Sequence, residues 1–207
     1  KPRTALFDPE TIVFLMLVLA FAVLVLPTGV LFGDGIAWSV SAMSTSGLAL
    51  SNPAVRDLIP LPILVLPALI GGSALSAAGG VKIARLIVLA RRAGQEFRQL
   101  GYRRSVLGFR FRDRELDERS VIGVWVYLVA YIVAVFLVMI EFSFMNLPFD
   151  ETIRLSIGGL TNSGGLLLGH TDGLDAGATS LLVLSMVLGR LEILAVIPAL
   201  SPSFWRG

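Results

Sequence analysis

From Thr11 to Phe32 the chain runs without a charged side chain, and roughly 20 residues of helix at about 1.5 Å each are enough to cross a hydrocarbon core of about 30 Å. Val121 to Ile140 is equally free of charge, and Ala178 to Leu200 is of similar length with Arg190 and Glu192 inside it. With 55% hydrophobic and 15% charged residues, the 207-residue chain is too apolar for an ordinary soluble domain, so a membrane protein is expected. There is no cysteine, which removes disulfides, thiolate metal sites and redox motifs from consideration. The first residue is Lys1, and the first apolar run is too long for a signal peptide and lacks a small-residue cleavage site. We therefore expect a fragment of a longer polypeptide, or a processed one.

Most of the Lys and Arg residues lie between Lys82 and Arg119, which the positive-inside rule places in the cytoplasm. Threading outward from that stretch puts both termini inside and the segments around 33–58 and 142–177 outside. The outer segments carry Asp34, Asp57, Asp150, Glu151, Asp172 and Asp175 against Arg56 and Arg154, an excess of negative charge that would concentrate cations. The alternative for Asp34, Asp150 and Glu151 is helix capping, because each precedes a short helical pattern.

Laid side by side, the spans repeat. Each half reads as a long apolar helix (11–32; 120–143), a short helix (about 35–44; about 149–160), a Gly-containing turn and another long helix (about 59–92; about 178–201). The short helices cannot cross the bilayer and are too apolar for free loops, so they should be re-entrant. Irregular backbone at membrane depth is tolerated where it is buried in protein or lines a watery cavity. The turns that follow, Ser44-Thr45-Ser46-Gly47-Leu48-Ala49 and Leu160-Thr161-Asn162-Ser163-Gly164-Gly165, are thus expected to face something wet, where carbonyls replace the hydration shell of a cation.

The stretch from Gly71 to Arg85, GGSALSAAGGVKIAR, interrupts the second long helix of the first copy. A continuous helix over 60–92 would be roughly 50 Å long, well beyond the hydrocarbon core, so a break or a cytoplasmic extension is required. Gly71, Gly72, Ser73, Ser76, Gly79 and Gly80 offer little resistance to unwinding. The competing reading takes Gly72, Ser76 and Gly80, spaced by four, as a small-residue face for close helix packing. Arg190 lies within the last apolar run, where a charge costs on the order of 2.5–3.5 kcal/mol and needs a partner.

Three stretches, namely the turns around Gly47 and Gly164, GGSALSAAGGVKIAR, and the closing LGRLEILAVIPALSPSFWRG, resemble the C-terminal half of the TrkH/KtrB family of bacterial potassium transporters. The resemblance implies an all-α membrane protein with two tandem helix–pore-loop–helix repeats, the second helix of the first repeat being broken. It divides the chain into a pore repeat at 1–92, a cytoplasmic basic connector at 93–119 and a second pore repeat at 120–207. It makes Gly47 and Gly164 filter glycines, with the carbonyls of Thr45, Ser46, Asn162 and Ser163 beside them and potassium as the transported ion, held by backbone carbonyls with no other cofactor. In related plant transporters a serine at a filter glycine goes with sodium preference, and both positions here keep Gly. The turns depart from the family's commonest wording at Ser163 and Gly165.

The same resemblance implies that Gly71, Gly72, Ser73, Ser76, Gly79, Gly80 and Lys82 belong to an intramembrane gating loop that meets Arg190. A structural carboxylate pair is the alternative for Arg190. Further implied are a ring of TrkA/KtrA-type nucleotide-binding regulatory subunits as cytosolic partner, a homodimer of full-length subunits, contact with membrane lipids and not with nucleic acid, and a multi-pass location in the bacterial inner membrane. Two other classes stay open. One is a hydrolase using Ser163 with His170, the single histidine. The other is a non-conducting structural or regulatory fragment that needs a missing half, with pairing of two copies as a further possibility.

Overall fold

A computed structural model describes residues 8–48, 53–73, 76, 78–101, 110–111, 114–115 and 118–191. The charges at Lys1 and Arg3, parts of the 71–80 and 93–119 stretches, and the closing run beyond Leu191 lie outside these residues. The helices are α1 (Pro9–Leu24), α2 (Phe32–Met43), α3 (Pro53–Leu58), α4 (Leu61–Ile70), α5 (Ile83–Gly101), α6 (Glu118–Ser143), α7 (Phe149–Thr161), α8 (Gly164–Leu167) and α9 (Ala176–Arg190), with a 3-10 turn at Leu26–Thr28. Apart from a two-residue antiparallel ladder, Arg110–Phe111 with Arg114–Glu115, the regular elements among the described residues are helical.

Two helical stretches are long and apolar enough to cross a membrane: Pro9–Thr28, of 20 residues, and Val121–Ser143, of 23. Both leave large apolar side chains exposed, among them Met16 and Leu19 on α1 and Val129, Phe136 and Leu137 on α6. A helix apolar on every face is at home in protein core or lipid, and these exposed faces call for lipid. The short helices α2 and α7, of 12 and 13 residues, reach only about 18–20 Å. Asp34 sits in the first turn of α2, and Asp150 and Glu151 in the first turn of α7, but Leu31 and Pro148 hold the capping positions. These acids therefore complement the positive end of each helix without bonding its free N–H groups. The acid that does cap is Asp175, whose side chain accepts from the Ala178 N–H at 2.8 Å at the start of α9.

Helix α7 is the centre of the fold and packs against α4, α6, α8 and α9. One core joins α1, α2 and α4 to it through Phe21, Val25, Trp38, Met43, Leu64, Ala68 and Ile157. A second joins α6, α7 and α9 through Phe142, Leu155, Leu160 and Leu182. Buried hydroxyls in this apolar setting bond to their own helices: Ser39 to Gly35, Ser156 to Thr152 and Thr161 to Ile157, each to a carbonyl at 2.7 Å. That removes the cost of an unpaired buried donor. The crossings are close because they are made at glycine. A methyl on Gly35 would stand 3.2 Å from the Ala22 carbonyl oxygen of α1, and one on Gly189 would strike the Leu160 carbonyl of α7.

Candidate functional site

The two short helices end in the same way. After α2, Thr45 adopts a left-handed conformation (φ 51°), its N–H bonds to the Ala42 carbonyl at 3.1 Å, and the Ser46 N–H reaches five residues back to Ser41 at 3.3 Å. After α7, Asn162 is left-handed (φ 54°), its N–H bonds to Gly159 at 3.1 Å, and the Ser163 N–H reaches back to Gly158 at 2.9 Å. In each case a left-handed residue stands two positions before the glycine. For asparagine this conformation is tolerated, whereas for β-branched Thr45 it is an outlier that surrounding structure has to hold in place.

The glycines bring the turns together. Gly47 is itself left-handed (φ 68°), and a methyl on it would lie 2.8 Å from the Gly164 Cα and from the Gly165 nitrogen. The C-terminal ends of α2 and α7, each partly negative, therefore converge on one point. The two turns differ beyond it. Around the first, Ser41 Oγ donates to the Leu48 carbonyl at 2.7 Å, Ser44 Oγ to Ser46 Oγ at 3.1 Å, and the Leu48 N–H reaches Ser46 Oγ at 3.4 Å. The second passes straight into the single turn α8, where the carbonyls of Ser163 and Gly164 accept from the N–H groups of Leu166 and Leu168 at 3.0 and 3.1 Å. Each of those oxygens keeps a second lone pair. Asn162 ties this turn to α9 by donating to the Met186 carbonyl at 3.0 Å, and Arg56 of α3 donates to the Gly165 carbonyl at 3.3 Å.

Between α4 and α5 none of the described residues is helical. The four-residue spacing of Gly72, Ser76 and Gly80 thus makes no helix face here. Gly71 turns the chain with φ 74°, and it doubles back on the end of α4. The N–H groups of Val81 and Lys82 bond to the carbonyls of Leu69 and Ile70, both at 2.9 Å, and that of Ile83 bonds to Gly72 at 3.0 Å. The free carbonyls at the end of α4 are satisfied this way. Within the segment the Ser76 N–H bonds to the Ser73 carbonyl, and Ser76 Oγ accepts from Ala78, both at 3.0 Å. The fit is at backbone level: a methyl on Gly71 would strike the Gly79 carbonyl, one on Gly80 would lie 2.6 Å from the Ala68 oxygen, and one on Gly79 would strike the carbonyl of Thr161. Gly79 therefore bears directly on the end of α7, where the second turn begins.

From α6, the Tyr127 hydroxyl donates to the Gly80 carbonyl at 3.3 Å; the Arg85 guanidinium lies 3.8 Å from the centre of the Tyr127 ring, and Tyr131 stacks behind it at 6.1 Å. Lys82 is half-buried with φ 70°. Arg190 is the last residue of α9, is exposed, and follows Gly189 at the Leu160 crossing. Near the start of α7, His170 Nδ1 stands 4.0 Å from Glu151 Oε1. Partial burial, then the charges of Arg154 and Arg56, hold its pKa below the usual histidine value, against the opposing pull of Glu151 and Asp57. Sequence reasoning did not assign a role at the turns to Arg56, Tyr127 or Ser41. Arg56 and Arg154, one in each of the two otherwise acidic segments expected outside, were the one available signal.

No family model matches the chain. It is similar to the Trk system potassium uptake protein TrkH of Escherichia coli K12, 28% identical over 171 residues that make up 81% of this chain and 35% of that protein. It is likewise similar to TrkH of Vibrio parahaemolyticus, 31% identical over 181 residues, 84% of this chain and 37% of that one. The crystal structure of the potassium transporter TrkH from Vibrio parahaemolyticus superposes with a TM-score of 0.78 at 26% identity, covering 96% of this chain and 45% of the other. The chain is thus a homologue of the Trk potassium uptake proteins and spans about a third of the length of the curated relatives it matches. These relatives are transporters, not enzymes, and with them the hydrolase reading of Ser163 and His170 is set aside.

Proposed function

We propose that this homologue of membrane potassium transporters forms part of a filter-and-gate potassium pore in the bacterial inner membrane, contributing two helix–pore-loop–helix repeats. The observation that carries the reading is the convergence of two short helices on a pair of left-handed turns joined Gly47 to Gly164. Potassium sheds water where the negative ends of α2 and α7 meet. Carbonyls of Thr45, Ser46, Gly47, Asn162, Ser163 and Gly164 take the place of that water, and further turns from the rest of the transporter close the ring. Uptake is then driven by the cation gradient and the membrane potential. No side-chain chemistry is needed.

Segment 71–82 is the gate in this reading. Its contact at Gly79 with Thr161 supports that role, because a displacement there is felt within the second turn itself. Gly71, Gly72, Ser73, Ser76, Gly79, Gly80 and Lys82 form the moving part, and Arg190 restrains it from the end of α9. A cytosolic nucleotide-binding subunit of the TrkA/KtrA type would bias the gate from the 93–119 side, and full-length subunits would pair as a homodimer.

Potassium uptake into liposomes by this chain alone, compared with the chain joined to the remaining repeats of its transporter, tests the proposal. Selective uptake by the joined form supports the half-pore, and uptake by the chain alone points to assembly between copies. Silence of both, with folded protein in the membrane, leaves the structural or regulatory reading.

A further inference from the structure

Gly164 and Gly165 are consecutive glycines opening a helix of four residues. Such a segment has little intrinsic stiffness, since neither residue restricts its dihedrals and a single turn is marginal on its own. Ion selection by carbonyl groups depends on the number, spacing and orientation of those dipoles, so a soft turn needs a hold from outside. Arg56 supplies one. It stands in α3, the helix that follows the first turn, and its side chain is half-buried. Across 109 residues of sequence its Nη1 donates to the Gly165 carbonyl at 3.3 Å. Its Nη2 faces Gly169, where a methyl would come within 3.7 Å of it. The guanidinium thus sits over the C-terminal end of α8, between the Gly165 carbonyl and the turn at Gly169.

Its charge makes the placement more telling. A fixed cation beside a cation path opposes entry, and Arg154 and His170 lie within electrostatic reach of Arg56 as well. Asp57 and Glu151 in the same cluster offset part of that charge. A cation in such a place is tolerated more readily if its hydrogen bond does something a neutral side chain does less well. A guanidinium is planar and always charged, and its charge-assisted bond fixes the carbonyl it holds more firmly than a neutral donor would.

We propose that Arg56 is a positioning residue for ion selection: it pins the Gly165 carbonyl and sets the second turn at a fixed distance from the first. The inference rests on the filter reading given above. Lysine keeps the charge but not the fork, glutamine keeps a neutral donor of shorter reach, and alanine removes both.

The test is the potassium-to-sodium permeability ratio of the complete reconstituted transporter, measured for Arg56→Ala, Arg56→Lys, Arg56→Gln and, as a control on the filter itself, Gly164→Ser. Alanine is expected to lower the ratio about tenfold, the worth of a hydrogen bond to a charged group. Lysine is expected to restore the uptake rate but little of the ratio, and glutamine part of the ratio. If Gly164→Ser lowers the ratio while the Arg56 variants keep it at the parent value, Arg56 is structural and the filter stands. If Gly164→Ser also leaves it untouched, the filter reading falls and this inference with it. Should Arg56→Ala fail to fold, unchanged ratios in both the lysine and glutamine variants overturn the proposal equally.

Discussion

The first and second turns share one backbone design and are held by opposite means. The first, Ser44 to Leu48, is fastened by hydroxyls within a few residues of itself, those of Ser41, Ser44 and Ser46. The second, Thr161 to Leu168, is fastened from a distance by Arg56 in α3, by Asn162 reaching Met186 in α9, and by Gly79 pressed on its entrance. A turn fastened largely by its own hydroxyls depends less on the positions of distant elements. A turn held by three separate elements reports their positions, so in the proposed pore communication between segment 71–82 and the ion path should run through the second turn.

The largest expected effect is at Gly79. In Gly79→Ala the added methyl strikes the Thr161 backbone, and relief of such overpacking costs typically about 1–3 kcal/mol. The closed contact should be lost, giving a lower melting temperature together with raised basal potassium flux. Lower stability with unchanged flux would make the contact structural. Next is Gly47→Ala, where the left-handed backbone alone costs about 1–2 kcal/mol and the methyl meets Gly164. Gly164→Ala, whose methyl would find its nearest neighbour at 3.5 Å, should melt near the parent temperature. Equal loss in both would erase the distinction between the turns.

A smaller effect is expected from removing one hydrogen bond on each side. Ser41→Ala should cost about 1 kcal/mol and Asn162→Ala more, because alanine also lacks asparagine's tolerance of the left-handed backbone at that position, but only the asparagine change should alter basal flux. If the serine variant alters it as much, the turns are coupled alike. The smallest effect concerns pH. Because the folded-state pKa of His170 is lowered, the unfolded chain takes up a proton there first as pH falls. Its contribution is therefore intact above about pH 6.5 and is lost as pH drops through that value. His170→Gln should accordingly lose less melting temperature than the parent between pH 7.5 and 5.5, a range chosen to bracket the usual histidine pKa of about 6.5. An identical loss would remove His170 from the pH response.

Hydropathy located the apolar helices because lipid as solvent leaves a strong one-dimensional signal. The short helix expected at about 149–160 is found at Phe149–Thr161, and that expected at about 35–44 begins three residues earlier at Phe32. The shift at α2 has a local cause, since Phe32 and Gly33 extend the pattern before Asp34, which reads as a boundary but occupies the first turn. The left-handed Thr45 was not legible, because threonine avoids that conformation and only its surroundings impose it. Arg56 with Gly165 and Tyr127 with Gly80 are 109 and 47 residues apart. Pairings that distant depend on how helices cross, which one sequence does not state.

The crossings made at glycine carry a consequence for how such a chain can change over generations. Its exposed apolar faces, which carry Met16, Leu19 and Phe136, accept one apolar side chain for another with little effect. At Gly71, Gly79 and Gly189 the added methyl runs into a backbone carbonyl, which has no rotamer with which to yield. The molecule is permissive at its rim and intolerant of a single extra carbon near its axis, so its sequence is free to drift from the outside inward and stops where the main chains touch.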